Sequence, residues 1–277
     1  MKDASIPGEL DNKVCLIVGA SGTLGTAVAQ SFSQAGARLA LSSHTEGPGA
    51  PVANGRTLHL QFDIRNWKDV SGAVHRVHQD FGSLDVVVNC SGIQGPIGPT
   101  QTADPEAWAR AVEVNLLGCF YLARAAVPIM LGQGGGKIIY FSGGGATSAR
   151  PFFSAYGASK AAVVRFTESL AEELRDTNIQ VNAIAPGPVR SRMWDEMRAA
   201  GAAGGLKLLE ELRQMDRTGG VPAERAAALA LFLASHRSKS LTGRLISAVH
   251  DKWEEMEPRI PTIMSTEAGT LRRIPLD

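Results

Sequence analysis

The 277-residue sequence predicts an α/β fold, a doubly wound parallel sheet in a single domain, and three observations carry that prediction. Strand-like and helix-like segments alternate from residue 14 to residue 249, the strand-like runs are apolar along their whole length, and nothing marks a second domain. Repeated β-α-β units return to one sheet as parallel strands through right-handed crossovers, which puts helices on both faces. A strand covered on both faces must be continuously apolar.

The elements follow in order. Residues 14–18 form a β-rich apolar run, and after a glycine turn the segment 23–34 is helical, with Gly36 placed to end it. Residues 38–41 and 58–62 are the next strands, and the Gly/Pro-rich loop 47–55 leaves the expected intervening helix weak or missing. A helix over 67–81 precedes a strand over 84–88. Residues 106–130 are one long helix, with Pro105 acceptable in its first turn. A strand at 137–141, a helix at 154–175 and a strand at 179–184 come next. Helical fragments over 191–215 are broken by Gly201, Gly204 and Gly205, and an alanine-rich helix over 222–235 leads to a last strand at 245–249. The pattern stops there. The domain is therefore 1–250, with a substrate-loop region at 191–220 and a polar tail at 251–277 placed to act as a lid or an oligomer contact.

Composition narrows the function. Hydrophobic content of 44% and charged content of 20% are ordinary for a globular chain, and a chain this long buries roughly 75% of its unfolded surface without staples. A net charge of +1 with scattered Lys and Arg gives no footprint for nucleic acid or an anionic membrane. Cys15, Cys90 and Cys119 are far apart, without metal-ligand spacing, so no metal is expected and cysteine as a small buried hydrophobe is the simpler reading. The N-terminal residues lack the apolar stretch of a signal peptide, and no apolar run is expected to reach the roughly 20 residues of a membrane span. A cytoplasmic location is expected.

Gly19-Ala20-Ser21-Gly22-Thr23-Leu24-Gly25 lies between the first strand and the first helix. Glycine suits a tight turn that a pyrophosphate must approach closely, and the phosphate charge then meets free N–H groups at the helix start. The spacing is G-x-x-G-x-x-G, where the common Rossmann fingerprint is G-x-G-x-x-G. At the end of the second strand, Ser42-Ser43-His44 stands where an acid would bind a ribose 2′-hydroxyl. The missing carboxylate favours NADP(H) over NAD(H), although no Lys or Arg in the glycine loop or at the strand end grips a 2′-phosphate, and His44 is equally read as a solvated loop residue.

Tyr156 and Lys160 are an i, i+4 pair at the start of the helix 154–175, on one face and about one turn apart. An ammonium beside a phenol favours phenolate and lowers a pKa otherwise about 10, as a proton donor and acceptor near neutral pH requires. In combination with other segments the pair carries a resemblance. Over roughly residues 10–250 the chain resembles the short-chain dehydrogenase/reductase family, with matching pieces in order: the glycine loop, Asp63-Ile64, Asn89-Cys90-Ser91-Gly92, Val114-Asn115-Leu116-Leu117-Gly118, Ser154-Ala155-Tyr156 through Lys160, and Asn182 through Pro186-Gly187 to Ser191.

The resemblance implies a Rossmann-like fold and direct hydride transfer between a nicotinamide and a carbonyl carbon. It implies Tyr156 as general acid/base, Lys160 as the group that lowers its pKa and bonds the nicotinamide ribose, and Asn115 as anchor of a water that links Lys160 to solvent. The loop residues Gly19, Ser21, Gly22, Thr23, Leu24 and Gly25 would hold the pyrophosphate, and Ser43 and His44 the adenosine ribose. Asp63 would meet the adenine with Ile64 beside it, Asn89 and Gly92 would line the ribose side, and Pro186, Gly187, Val189 and Ser191 would hold the carboxamide end. Asn89 and Asn115 also read as hydrogen-bonded structural polars, and Pro186-Gly187 as a sharp turn. Homodimers or homotetramers built on the helices 106–130 and 154–175 are implied as well.

Two departures stand out. The family's oxygen-orienting serine lies thirteen residues before the tyrosine, which is Gly143 here, with Ser142 beside it. The glycine run 143–145 is read as letting Ser142 point into the site, the alternatives being Ser148, a backbone N–H or no donor at all; losing such a donor costs about 3 kcal/mol of barrier. Ser247 through Trp253 replaces the short Asp-Gly-Gly segment that closes many relatives. Met193, Trp194 and Met197 either line the substrate pocket or pack a short amphipathic helix. The expected function is reduction of a ketone or oxidation of a secondary alcohol. A catalytically weak dinucleotide-binding sensor or assembly subunit is the alternative, with Gly143 its support.

Overall fold

The computed structural model describes residues 8–44, 57–274 and 276. Its strands, β1 (Val14–Val18), β2 (Arg38–Ser43), β3 (Leu58–Gln61), β4 (Val86–Asn89), β5 (Gly136–Phe141), β6 (Ile179–Ala185) and β7 (Leu245–Ser247), form one sheet. Their order is β3-β2-β1-β4-β5-β6-β7, and every pairing is parallel. The chain winds outward from β1 in one direction through β3 and then in the other from β4, so the direction reverses between β1 and β4. In such sheets ligands bind in the crevice outside the carboxyl ends of the strands at that reversal. Val18 stands opposite both Ser42 and Asn89 in the register, so the ends of β2 and β4 flank the glycine loop. The Gly/Pro-rich loop 47–55 lies outside the described residues.

Helices cover both faces. α1 (Thr23–Gln34) and α8 (Ala223–Ala234) pack on one face, burying Cys15, Ile17, Leu39, Val88, Ile139 and Ile184. On the other, α2 (Trp67–Phe81), α4 (Gly118–Gly132) and α5 (Ser154–Glu173) bury Leu16, Ala40, Val87, Ile138 and Val181. Local chemistry sets the ends: the Asn66 side chain accepts from the N–H groups of Lys68 and Asp69 at the start of α2, and Gly82 closes it in the left-handed conformation. Asp104 caps α3 (Pro105–Val112) through the Glu106 N–H. α3 and α4 are joined by a π-turn over Glu113–Leu117. The resulting helical run 105–132 is long and apolar enough to cross a membrane, contrary to the sequence expectation. The apolar stretch is longer than the strand-sized runs suggested, because Arg124 is the one charge between Val114 and Leu131. Here that run buries Leu122, Ala126 and Met130 against the sheet.

Beyond β6 the chain forms α6 (Arg192–Ala200), a 3-10 turn at Gly201–Gly204 and α7 (Gly205–Thr218), the broken helical stretch expected from its glycines. These helices make a separate apolar cluster with the start of α5: Phe153, Tyr156, Trp194, Met197, Leu208, Leu212 and Met215. The tail folds back on its own domain through two 3-10 turns and α9 (Ile260–Met264). Trp253, Met256 and Ile260 join the α1/α8 core, and Trp253 lies 6.3 Å from the Phe232 ring. Gly269 accepts a bond from the Leu245 N–H of the edge strand, and Glu168 of α5 accepts from the Leu271 N–H.

Candidate active site

Above the carboxyl ends of the central strands lies a cavity of about 570 Å³, within the range of small-molecule sites. Its walls are Leu24 at the start of α1, the loops after β4, β5 and β6, the first turns of α5, and α6 and α7 as a roof. Leu24, Gly92, Ser142, Tyr156, Lys160, Pro186, Gly187, Val189 and Ser191 all face it.

The glycine loop is built for close approach. Gly19 has φ +76, and a Cβ there would lie 2.9 Å from the Ser91 N–H nitrogen of the neighbouring loop. A Cβ on Gly25 would overlap the Gly19 carbonyl oxygen and come within 2.7 Å of Ala20 Cα. Ser21 and Thr23 are exposed at the turn. Gly22 begins α1 without a side-chain cap, and no acid stands in the first turn. Uncapped N–H groups with no competing carboxylate form a seat for a pyrophosphate. At Gly92 a Cβ would press on Asn115 Oδ1 at 3.2 Å and Lys160 Nζ at 3.4 Å, so only glycine keeps that part of the cavity open. These residues fit a dinucleotide.

On the adenosine side, Ser43 and His44 end β2, and the His44 carbonyl accepts from Gln61 at 3.4 Å. Asp63 holds the Arg65 guanidinium at 2.6 Å, and that pair keeps its carboxyl below the usual range. Ile64 is buried against the first turn of α4, where a Cβ on Gly118 would press on its side chain.

Asn89 and Asn115 are fully engaged within the protein. Asn89 Oδ1 accepts from the Ser91 N–H and hydroxyl, and its Nδ2 donates to Cys119 Sγ at 3.3 Å. Asn115 sits in the π-turn, a local insertion common at functional sites. Its Oδ1 accepts from the Ile93 N–H at 2.9 Å, and its Nδ2 donates to the Ile93 carbonyl at 3.0 Å and to Ser159 Oγ at 2.9 Å. Asn115 thereby ties the loop after β4 to α5.

Tyr156 is buried, and burial pushes its phenol above the ordinary value; the opposing cation in this geometry is Arg150. Lys160 Nζ lies 5.7 Å from the Tyr156 ring centroid and donates to the Phe141 carbonyl at 2.8 Å. Burial holds its ammonium below the ordinary lysine value. Ser142 lines the cavity, where the sequence placed it, with its hydroxyl engaged by the protein. Its hydroxyl donates to the Lys160 carbonyl at 3.2 Å, because β5 delivers it against the backbone of α5. At Gly143 a Cβ would overlap the Tyr156 hydroxyl, so the phenol occupies space that a side chain there would need.

Other wall residues were not singled out in the sequence. Arg150 pairs with Glu211 of α7 at 2.6 Å and stacks on the Phe153 ring at 4.0 Å, joining the loop after β5 to the roof. Gln94 is 2% exposed, and its Nε2 has no partner among the described residues. Its position two residues after Gly92 was the available signal. Met193, Trp194 and Met197 line the cavity, and Trp194 and Met197 share an apolar cluster with Tyr156. Cys90 lines it too, with a thiol that burial pushes up. Among the described residues, none beyond His250 does so, which leaves the described tail outside the cavity.

Residues 13–201 match the family model described as short chain dehydrogenase. The chain is 31% identical over 239 residues to an NAD-dependent glycerol dehydrogenase of Listeria innocua, covering 84% of this chain and 91% of that protein. It is 32% identical over 254 residues to 3beta-hydroxysteroid dehydrogenase 2 of Eggerthella lenta, covering 89% and 97% respectively. A structure of NAD+-bound xylitol dehydrogenase superposes with a TM-score of 0.75 at 25% identity, over 86% of this chain and 98% of that one.

Proposed function

The chain belongs to the short-chain dehydrogenase/reductase family, whose members bind a nicotinamide dinucleotide, and from that premise we propose that it interconverts a ketone and a secondary alcohol with Tyr156 as general acid/base. The observation that carries this reading is the placing of Tyr156 and Lys160 in one cavity that runs to the glycine loop at the sheet's reversal point. When bound, the cofactor supplies or accepts a hydride, and the protein supplies position and the proton.

A bound dinucleotide would set its pyrophosphate against the turn of Gly19, Ser21, Thr23, Leu24 and Gly25, with Gly22, whose N–H bonds the Gly19 carbonyl, shaping that turn. Ser43, His44, Asp63 and Ile64 would hold the adenosine end. Gly92, Pro186, Gly187, Val189 and Ser191 would line the nicotinamide end, with Asn89 shaping the loop beneath it. In reduction the carbonyl carbon gains a C–H bond, the carbonyl oxygen takes the Tyr156 proton, and Lys160 supplies the phenolate with its replacement. Oxidation reverses each transfer. Asn115 positions Lys160 by fixing the loop and helix around it, and would anchor a water linking Lys160 to solvent. A ketone held against Tyr156 under the α6–α7 roof is shielded from water.

NADP(H) is the favoured cofactor, because Ser43 and His44 bring no carboxylate against a 2′-phosphate and the Asp63 carboxylate is held by Arg65. The Listeria relative is NAD-dependent, so calorimetry with both cofactors is the deciding measurement. The glycine at 143 and the inward-turned Ser142 hydroxyl favour one second reading, a dinucleotide-binding sensor or assembly subunit with weak catalysis. The same samples separate the two. Wild type that binds NADPH and reduces ketones, with a Tyr156→Phe variant that binds NADPH equally and turns over at least 100-fold slower, supports the enzyme. Tight cofactor binding with no turnover supports the sensor. We also propose assembly as a dimer or tetramer through α4 and α5, and a cytoplasmic location.

A further inference from the structure

Reduction of a ketone concentrates negative charge on oxygen, and a second fixed donor beside the proton-giving group is worth a large factor in rate. Around Tyr156 the obvious donors are engaged or absent. The Ser142 hydroxyl donates to the Lys160 carbonyl, the Lys160 ammonium donates to the Phe141 carbonyl, and Gly143 has no side chain and no room for one. Ser148, in the same wall, is exposed to solvent.

Gln94 differs from all of these. It lines the cavity, is 2% exposed, and carries an amide nitrogen with no partner among the described residues. Its backbone is fixed on both sides by the elements that build the site. The Asn115 side chain holds both the N–H and the carbonyl of Ile93, and Gly95 packs so tightly that a Cβ would stand 2.8 Å from Ala111 Cβ and 3.2 Å from Ala155 Cβ, the residue before Tyr156. A buried donor left unpaired is costly and uncommon. Such a group is retained where something else completes the bond.

We propose that Gln94 is the second oxygen-orienting residue, its side-chain N–H donating to the substrate's carbonyl oxygen alongside Tyr156 in place of the serine that Gly143 replaces. This rests on the ketone/alcohol reading above.

The test compares wild type, Gln94→Met, Gln94→Glu and Tyr156→Phe on diacetyl, cyclohexanone and ethyl acetoacetate, with NADPH and NADH titrated calorimetrically and Tm recorded. For Gln94→Met the expected result is a kcat about 100-fold lower, cofactor affinity within twofold of wild type, and a Tm unchanged or raised by about 2–4 °C, since an unpaired buried amide has been removed. Gln94→Glu regains turnover as pH falls through the carboxyl range, because only the protonated carboxyl has a donor; wild type shows no limb in that range, its own loss of reduction lying in alkali where Tyr156 ionises. A Gln94→Met enzyme with kcat within threefold of wild type overturns the assignment while Tyr156→Phe inactivity leaves the proposed function intact. A lowered Tm with lost cofactor binding overturns it as well, because it marks Gln94 as a structural polar. If Tyr156→Phe retains turnover, or wild type reduces none of the three ketones, the proposed function fails and the Gln94 role fails with it.

Discussion

Tyr156 sits where its surroundings oppose ionisation, and that sets the direction of its proton chemistry. Burial raises the phenol, so it stays protonated at neutral pH and is ready to give a proton to a ketone oxygen. Alcohol oxidation needs the phenolate and is expected to climb with pH. Arg150 is the cation that pulls the phenol back down, so replacing it with leucine takes away a charge that favours phenolate. The expected outcome for Arg150→Leu is an oxidation limb displaced to higher pH, with ketone reduction persisting further into alkali. Rates in both directions between pH 6 and 11 measure this, and a limb that stays put or moves to lower pH removes Arg150 from the proton chemistry. Tyr156 and Lys160 were legible in the sequence because an i, i+4 pair is a local pattern. Arg150 and Glu211 were not, since their ion pair spans 61 residues and depends on how α7 lies across the cavity. The same holds for Ser142, whose hydroxyl direction is set by a carbonyl of α5, and for Lys160, which the sequence cast as the phenol's cation and which the fold turns toward the Phe141 carbonyl.

Elements with caps written into the sequence were the ones whose limits could be read. α1 and α2 begin and end where their turn and cap residues put them. β4 begins later than its apolar run, because the Gln133 side chain takes both the N–H and the carbonyl of Leu84. The π-turn at 113–117 escaped because a one-residue widening of a helix leaves hydrophobic periodicity nearly unchanged. In the glycine loop the decisive contact is short and between backbones. An alanine at 25 meets the Gly19 carbonyl oxygen, and neither the loop nor the helix start has a flexible side chain to yield. Gly25→Ala is therefore expected to cost about 1–3 kcal/mol of stability and to weaken NADPH binding by at least about tenfold, since even 1.4 kcal/mol of lost seating is that factor. Urea unfolding and calorimetry on one preparation test both; a variant with unchanged stability and unchanged affinity would show that the loop relaxes freely and that the close approach is not what seats the phosphate.

Across the whole molecule, the tail's course lay beyond sequence reasoning because its anchors are distant. Arg237, itself paired with Glu9, holds Glu257, and Glu168 receives Arg272 and the Leu271 N–H, so the tail is held by partners up to 104 residues away. With the tail docked on its own α8 and α5, the surface left apolar is elsewhere. Leu117 and Phe120, at the start of α4, are 37% and 40% exposed, and Phe120 lies 6.4 Å from the Phe166 ring of α5. Ala161 and Ala162 on α5 are half-buried and small enough for a second helix to approach closely. A large apolar residue on a helix pair with small neighbours is the composition of an interface rather than of a solvated face. Wild type is therefore expected to sediment as a dimer or tetramer of the 29.3 kDa chain, and Phe120→Arg combined with Ala161→Arg to sediment as a monomer. Circular dichroism must stay unchanged for that comparison to count. The cavity is built within one chain, so the monomer should still bind NADPH. A double variant that keeps the wild-type sedimentation coefficient places the interface on another face, and a monomer that loses NADPH binding shows that the site draws its rigidity from the assembly.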